Sequence, residues 1–337
     1  MKIEKTIPIE YQTLLNQISN TFLQGQNRVA RAVNSTILET YWQIGQHIVE
    51  FEQAGKSKAT YGDRLLQNLS KNLTVANGKG FSRPNLNNMR MLYLSYPICQ
   101  TLSDKLSWSH YIELIKIDDV NERQFYENQA IHENWGIREL RRQMETSLYL
   151  RLAMSKDKEG ILQMNKKGNI VEHPIDIIKD TYVLEFLKIP EPYHISEKEL
   201  ETRLIDNLQT FLLELGKGFT FVGRQYRISL DNNHYKIDLV FYHRILRCFV
   251  LIDLKINEVK HQDIGQMNMY MGYFAEEENT EGDNPPIGII LTRKKNELVV
   301  KYATYGMNSQ LFVSKYQLYL PNEEELRLQL ERILNEG

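Results

Sequence analysis

Apolar and polar positions divide this chain into two halves with different periods. From Tyr11 to Ile18, and again from Val29 to Ala54, apolar residues recur every three to four positions, the spacing of a helix with one buried stripe. Gly55 and Gly62 punctuate that run, and a further helix is expected from Leu65 to Leu73. After the turn Asn77-Gly-Lys-Gly80 comes a helix capped by Ser82, with Pro84 in its first turn. Leu106-Ser-Trp-Ser-His110 and the stretch from Gly136 to Met144 predict more capped helices, with Trp42, Trp108 and Trp135 as core anchors. The charged, glycine-broken stretch from Ser155 to Gly168 then reads as a linker.

Past the linker the period changes. The stretch from Ile175 to Ile189 is expected to dock as a helix. Ser196-Glu-Lys-Glu199 spells a capping box, and Leu200, Leu204, Leu208, Phe211, Leu212 and Leu215 form a helical stripe that ends at Gly216. Glu201 lies at the polar margin of that stripe. Runs rich in Val, Ile, Phe and Tyr predict strands at 219–228, 235–243, 248–256, 285–292 and 311–320, with a helix at 262–274 inserted among them. A helix, three strands, a helix and a strand give a mixed sheet flanked by helices. The predicted organisation is therefore α+β and multidomain. An all-α, helix-turn-helix-like domain occupies residues 1–155, a linker 156–174, and an α/β domain 175–337.

Two of the apolar strands each carry a carboxylate, Asp238 and Asp253, and Lys255 follows the second. Ionised groups in such runs are costly unless they are paired or bind a metal. The polar break His243-Arg-Ile-Leu-Arg247 suits a hairpin, and folding about its midpoint, between Ile245 and Leu246, sets position 238 opposite 253. Facing side chains of antiparallel strands stand about 4.5–5.5 Å apart at Cβ, close enough for two carboxylates to share a hard cation such as Mg²⁺. Because strand side chains alternate, Asp253 and Lys255 share a face while Ile252, Leu254 and Ile256 take the other. A structural ion pair at a strand end is the competing reading of the same spacing, which Glu258-Val-Lys260 repeats just downstream.

The helix, the strand order, Asp238, Asp253-Leu-Lys255 and Gln266-x-x-x-Tyr270 together resemble the PD-(D/E)XK nuclease superfamily. More narrowly, the chain resembles the bacterial YhcG-type nucleases. Phe211-Leu-Leu-Glu-Leu-Gly-Lys-Gly-Phe219, Gly223-Arg-Gln-Tyr226, Gly265-Gln-Met267 and Ile287-Gly-Ile-Ile-Leu291 match that family's C-terminal domain. Tyr41-Trp-Gln-Ile-Gly45, Gly78-Lys-Gly-Phe-Ser82, Leu106-Ser-Trp-Ser-His110 and Trp135-Gly-Ile-Arg-Glu-Leu140 match its N-terminal one. The chain departs from the commoner spelling with Asp at 253 in place of Glu and Ile at 237 in place of Pro. The resemblance implies a restriction-endonuclease-like core that hydrolyses phosphodiester bonds, as an endonuclease or exonuclease. It implies that Asp238, Asp253 and the main-chain carbonyl of Leu254 bind Mg²⁺ or Mn²⁺. Lys255 would orient or help deprotonate the attacking water and offset charge on the phosphate. Glu201 would complete the metal shell through water or accept a proton, Gln266 would position the phosphate or Lys255, and Tyr270 would buttress Gln266.

Composition narrows the partners only locally. A net charge of −2 gives no global basic field. Between Asp63 and Tyr96, however, five cations stand against a single carboxylate. The second helix of that segment is expected to leave Arg83, Asn85, Asn87, Asn88 and Arg90 outside, with Lys79 in the turn before it. Arg and Asn pair bidentately with guanine and adenine edges, so this segment is the candidate DNA-reading surface, against the plain alternative of a solvated bundle face. No long uncharged apolar segment could span a membrane, and the two cysteines, Cys99 and Cys248, read as reduced thiols of a cytoplasmic protein. The expected partner is nucleic acid, most simply double-stranded DNA. A homodimer, and partners in a defence or repair complex, go with that expectation. The competing class is a non-catalytic nucleic-acid-binding or scaffold protein on a degenerate nuclease fold.

Overall fold

A computed structural model describes residues 9–53, 64–154, 158–189, 195–305 and 310–336 of the chain. Gly55, Gly62 and the start of the expected linker, 155–157, lie outside the described residues. The chain forms two compact units, Met1–Arg123 with Asn134–Leu140, and Gln124–Glu133 with Arg141–Gly337.

The first unit is helical. The long α1 (Ile9–Gln53), α2 (Leu65–Asn77), α3 (Arg83–Ser95) and α4 (Trp108–Leu114) lead into α5 (Val120–Glu133) and α6 (Ile137–Glu145), both of which also contribute to the second unit. Ile48, Leu86 and Met89 form a small core with Tyr41, Ile44 and Trp108 around it. Gly45 lets α1 and α3 touch, since a Cβ there would run into the Met89 carbonyl oxygen. α3 starts as its sequence predicts. The Ser82 hydroxyl accepts the Asn85 N–H, satisfying one of the orphan donors of the first turn, and Pro84 sits in that turn.

The second unit adds α7 (Leu148–Ala153) and α8 (Lys158–Lys167), then β1 (Thr181–Val183), α9 (Glu197–Asp206) and α10 (Leu208–Leu215). The expected linker thus contains a helix, α8, with Ile161 and Met164 buried. The segment expected to dock as a helix, 175–189, is instead two short 3₁₀ turns flanking β1. Three sheet strands follow, β2 (Phe219–Leu230), β3 (Asn233–His243) and β4 (Cys248–Glu258). After them come α11 (His261–Tyr273), β5 (Ile287–Lys294), α12 (Glu297–Ala303), β6 (Leu311–Gln317) and α13 (Glu323–Glu336). The six strands lie in the order β1-β6-β5-β4-β3-β2. β1, β6, β5 and β4 run parallel, and β3 and β2 are antiparallel additions at the other edge.

Each face of the sheet has its own core. Leu200, Leu204, Phe211 and Leu215 of α9 and α10 bury against Leu239, Phe241, Val250, Ile252 and Leu254 on one side. Ile264, Met267 and Tyr270 of α11 bury against Val240, Leu251 and Ile290 on the other. Fully burying one such side chain is worth roughly 1.5–3 kcal/mol, so the two layers fix where α9 and α11 stand relative to β3 and β4. Gly288 sets the α11 distance, because a Cβ there would stand 2.6 Å from the Met271 sulfur and 2.7 Å from Cγ of Met267.

A buried charge cluster anchors α10. Glu214, fully enclosed, takes the Arg151 guanidinium at 2.6 Å, that of Arg142 at 3.2 Å and the Val183 N–H at 3.0 Å. Lys179 donates to its main-chain carbonyl. Burial alone would raise the Glu214 pKa, but Arg151, Lys179 and Arg142 outweigh it and hold it down to about 2. Arg142, on α6, is committed both to Glu214 and to Glu185, the latter at 2.9 Å.

Candidate active site

The hairpin between β3 and β4 has the register its sequence predicts. Leu239 pairs with Ile252 and His243 with Cys248, which carries position 238 to a place opposite 253. The regular pairing stops one step short of that position, at Leu239 and Ile252. Asp238 fills the gap with its side chain, since its Oδ2 accepts the Leu254 N–H at 2.8 Å. In an extended residue the N–H and C=O point to the same side of the strand, so the Leu254 carbonyl is also directed toward β3.

Strict alternation fails at Asp238. Ile237 and Val240 belong to the layer with α11, while Leu239 and Phe241 belong to the layer with α9 and α10. The strand therefore changes phase around residue 238. Opposite it on β2, Gln225 has a left-handed backbone with φ of 47°, and the pairs on either side are Arg224 with Leu239 and Tyr226 with Ile237. This twist leaves Asp238 between the two layers, within reach of groups from both. On β4 the alternation holds, as Leu251 packs on one layer and Ile252 and Leu254 on the other.

Four of the expected residues converge here. Asp253 Oδ2 lies 2.7 Å from Lys255 Nζ, and Lys255 is 3.9 Å from Asp263 on α11. Glu201, on α9 and only 5% exposed, is linked to Asp238 through Gln225, whose Nε2 donates to Glu201 Oε2 at 2.7 Å and to Asp238 Oδ1 at 3.0 Å. The other two, Gln266 and Tyr270, sit one turn apart on α11. Gln266 donates to the Tyr270 hydroxyl, which in turn donates to the Lys236 carbonyl at 3.2 Å. Glu197, at the start of α9, accepts the Ile256 N–H at 3.3 Å.

The electrostatics are those of crowded, half-dry acids. Burial, followed by the neighbouring Asp238 charge, raises the Asp253 pKa to about 6 against the opposing pull of Lys255. Burial likewise raises Asp238, partly offset by the Leu254 N–H and Lys255. Burial would lower Lys255, but Asp253, Glu197 and Asp263 outweigh it and raise it. Tyr270 is pushed up to about 12, by burial first and the Asp253 charge second.

Among the described residues no three acids, histidines or cysteines form a metal cluster by themselves. The donor set at this site is two carboxylates and a carbonyl. That suits Mg²⁺ or Mn²⁺, because Mg²⁺ characteristically takes one or two carboxylates and fills its remaining positions with water and substrate phosphate.

The residues expected to read DNA fare unevenly in geometry. Lys79, Arg83 and Asn87 are exposed, and Asn88 is half-buried. Both ends of the Asn85 amide are engaged, with its nitrogen donating to the Gly80 carbonyl at 2.6 Å and its oxygen accepting the Trp108 indole N–H at 3.0 Å. Arg90 pairs with Glu52 at 2.7 Å.

Gln225, Glu197 and Asp263 carry no expected site role from the sequence, although Gln225 falls within the Gly223-Arg-Gln-Tyr226 match. A signal for Gln225 was present. Asp231 and Asn232 both adopt left-handed conformations, as a tight two-residue hairpin turn requires, and Asp-Asn suits it. Folding β2 onto β3 about that pair places 225 opposite 238, and therefore in line with 253.

Comparison with known proteins agrees with the sequence resemblance. Residues 175–331 match the family described as the YhcG PDDEXK nuclease domain, and residues 17–151 match the DUF1016 N-terminal domain. The Escherichia coli (strain K12) protein named "Putative nuclease YhcG" is 36% identical over 362 aligned positions, covering 97% of this chain and 96% of that protein. Among solved structures, a repair endonuclease from Pyrococcus abyssi aligns at 21% identity with a TM-score of 0.28, over 39% of this chain and 50% of its own length. An EndoMS structure in complex with double-stranded DNA aligns at 13% identity with a TM-score of 0.26, over 40% of this chain and 50% of its own. The chain thus spans about half the length of those solved chains.

Proposed function

Because the chain belongs to the family of YhcG PDDEXK nucleases, we propose that it is a metal-dependent hydrolase of DNA phosphodiester bonds, with Asp238, Asp253 and Lys255 at its active site. The observation that carries this reading is the register of β3 on β4, which sets two acids opposite each other where the ladder opens, with a lysine 2.7 Å from one of them.

Asp238, Asp253 and the Leu254 carbonyl would hold Mg²⁺ or Mn²⁺. Such an ion, when bound, supplies a Lewis acid to the phosphate and lowers the pKa of bound water. The protein's own groups do the rest. Lys255, on the same face as Asp253, orients the attacking water and offsets charge that builds on the phosphate. Glu201, on α9, is joined to Asp238 through Gln225 and would complete the metal shell through water or accept a proton. Gln266 reaches toward the substrate from α11, and Tyr270 fixes its rotamer.

The helical unit is the proposed DNA-docking element, through Lys79, Arg83 and Asn87, with Asn88 at its margin. Cutting both strands with one site per chain calls for two copies, so a homodimer accompanies the reading. A role in defence or repair, and a cytoplasmic location, go with it. No helix among the described residues is long and apolar enough to cross a membrane, and Cys99 and Cys248 are free thiols.

The test is incubation of the full chain with linear duplex, single-stranded DNA and RNA, each with Mg²⁺, Mn²⁺ or EDTA. Cutting of duplex DNA that EDTA abolishes is the expected result. Preference for RNA would move the substrate class. Tight binding with no cutting of any substrate would favour the non-catalytic alternative.

A further inference from the structure

We propose that Gln225 is a positioning residue of this site, whose side-chain amide sets the spacing of Asp238 and Glu201 so that the acids are held ready for the metal. The inference rests on the nuclease reading above and adds to it a residue from a third strand.

Three independent features place Gln225 in that role. The first is register: the pairs flanking it put Gln225, Asp238 and Asp253 abreast on β2, β3 and β4, and regular pairing is interrupted at that row on both sides of Asp238. The second is the backbone. Gln225 holds φ at 47°, a conformation that side chains other than Gly, Asn and Asp seldom adopt. Gly223, two residues away, could have taken such a twist without strain, yet it falls on the glutamine, and the side chain it redirects is the one that meets the acids. The third is the chemistry of the contact. One amide nitrogen has two hydrogens and gives one to Glu201 at 2.7 Å and one to Asp238 at 3.0 Å. Glu201 is 5% exposed, and among the described residues its carboxylate has no other hydrogen-bond donor in the structure.

A neutral amide is the side chain this position needs. It draws two carboxylates together without adding charge. A glutamate here would add a further negative charge to the cluster, and a lysine would bring a cation to compete with the metal. The outer hydrogen bonds of metal ligands commonly govern affinity as strongly as this, since losing one costs about 10- to 100-fold in metal binding or activity.

The experiment compares wild-type chain with Gln225→Gly and Gln225→Asn. Glycine suits the left-handed backbone and deletes the amide; asparagine tolerates that backbone and keeps a shorter one. Mn²⁺ binding to the metal-free protein is measured by titration calorimetry, the melting temperature in EDTA by circular dichroism, and kcat and KM on duplex DNA. The expected result for Gln225→Gly is a folded protein whose Mn²⁺ affinity and kcat each fall about 10- to 100-fold with KM for DNA unchanged, and partial recovery in Gln225→Asn. Mn²⁺ affinity and kcat within twofold of wild type in folded Gln225→Gly would overturn the inference and leave the nuclease reading standing. Should the glycine variant not fold, the asparagine variant decides: reduced Mn²⁺ affinity and kcat at unchanged KM support the role, and wild-type values overturn it. A wild type that neither binds Mn²⁺ nor cuts DNA would overturn the nuclease reading itself, and this inference with it.

Discussion

Replacing Asp253 by Asn should stabilise the metal-free protein at neutral pH while abolishing its response to metal. The carboxylate is 5% exposed, faces Asp238, and has a pKa raised from 3.8 to about 6. A folded-state pKa above the unfolded one means that the favourable contribution is complete below pH 3.8 and lost as pH rises through about 6. Each pKa unit is worth 1.36 kcal/mol, so ionising Asp253 in the fold costs about 3 kcal/mol at pH 7.5. Asparagine keeps the shape and avoids that cost, which is already net of the 2.7 Å contact with Lys255, so a gain of about 2–3 kcal/mol is expected. Urea unfolding in EDTA at pH 7.5 and pH 4 measures it. Asp253→Asn should be the more stable protein at pH 7.5, and the difference should shrink toward zero at pH 4. Adding Mn²⁺ at 100 times its dissociation constant should raise wild-type stability by about 2.7 kcal/mol and leave the variant where it was. If Asp253→Asn is instead destabilised at pH 7.5 and wild type shows no gain from Mn²⁺, Asp253 and Lys255 form a structural ion pair and the reasoning fails.

Other perturbations separate the framework from the site. Glu214→Gln leaves buried Arg151 and Lys179 without their counter-charge and should cost about 3–5 kcal/mol by urea unfolding. Because the Glu214 pKa lies at about 2, its contribution is present above the ordinary value of 4.5 and is lost as pH falls toward 2, so acid unfolding followed by far-UV circular dichroism should begin at higher pH in a Glu214→Gln variant. Gly288→Ala pushes a methyl into Met271 and Met267 and should cost about 1–3 kcal/mol, with a fall in kcat as α11 and its Gln266 shift. Lys79→Ala and Arg83→Ala should each weaken duplex binding and reduce the slope of log affinity against log salt by about 0.9, read by fluorescence anisotropy. Asn85→Ala should lower the melting temperature, since its amide joins Gly80 to Trp108.

What the sequence made legible was local. The β3–β4 register follows from a short break between two apolar runs, α3 begins at its expected cap, Ser82, and α11 lies within one residue of the expected 262–274. β1 escaped notice because its three residues pair only with β6, more than a hundred positions away, and no turn announces a parallel edge strand. The single helix expected along the Leu200–Leu215 stripe is broken at Asn207 into α9 and α10, although the apolar spacing runs straight through. Periodicity reports which residues are buried; it does not report a change of axis. The same limit hid the phase change at Asp238. Alternation along β3 would put Ile237 and Leu239 in one layer, yet they lie in opposite ones, and the residue facing this break across the ladder, Gln225, has a left-handed backbone that no local pattern announces.

The most direct test of the central claim is plasmid cleavage by wild type and Lys255→Ala, each with Mg²⁺ and with EDTA. The account predicts that wild type cuts only with the metal and that Lys255→Ala, folded and still binding DNA, does not cut. Equal cutting by both proteins, or cutting by wild type in EDTA, would contradict it.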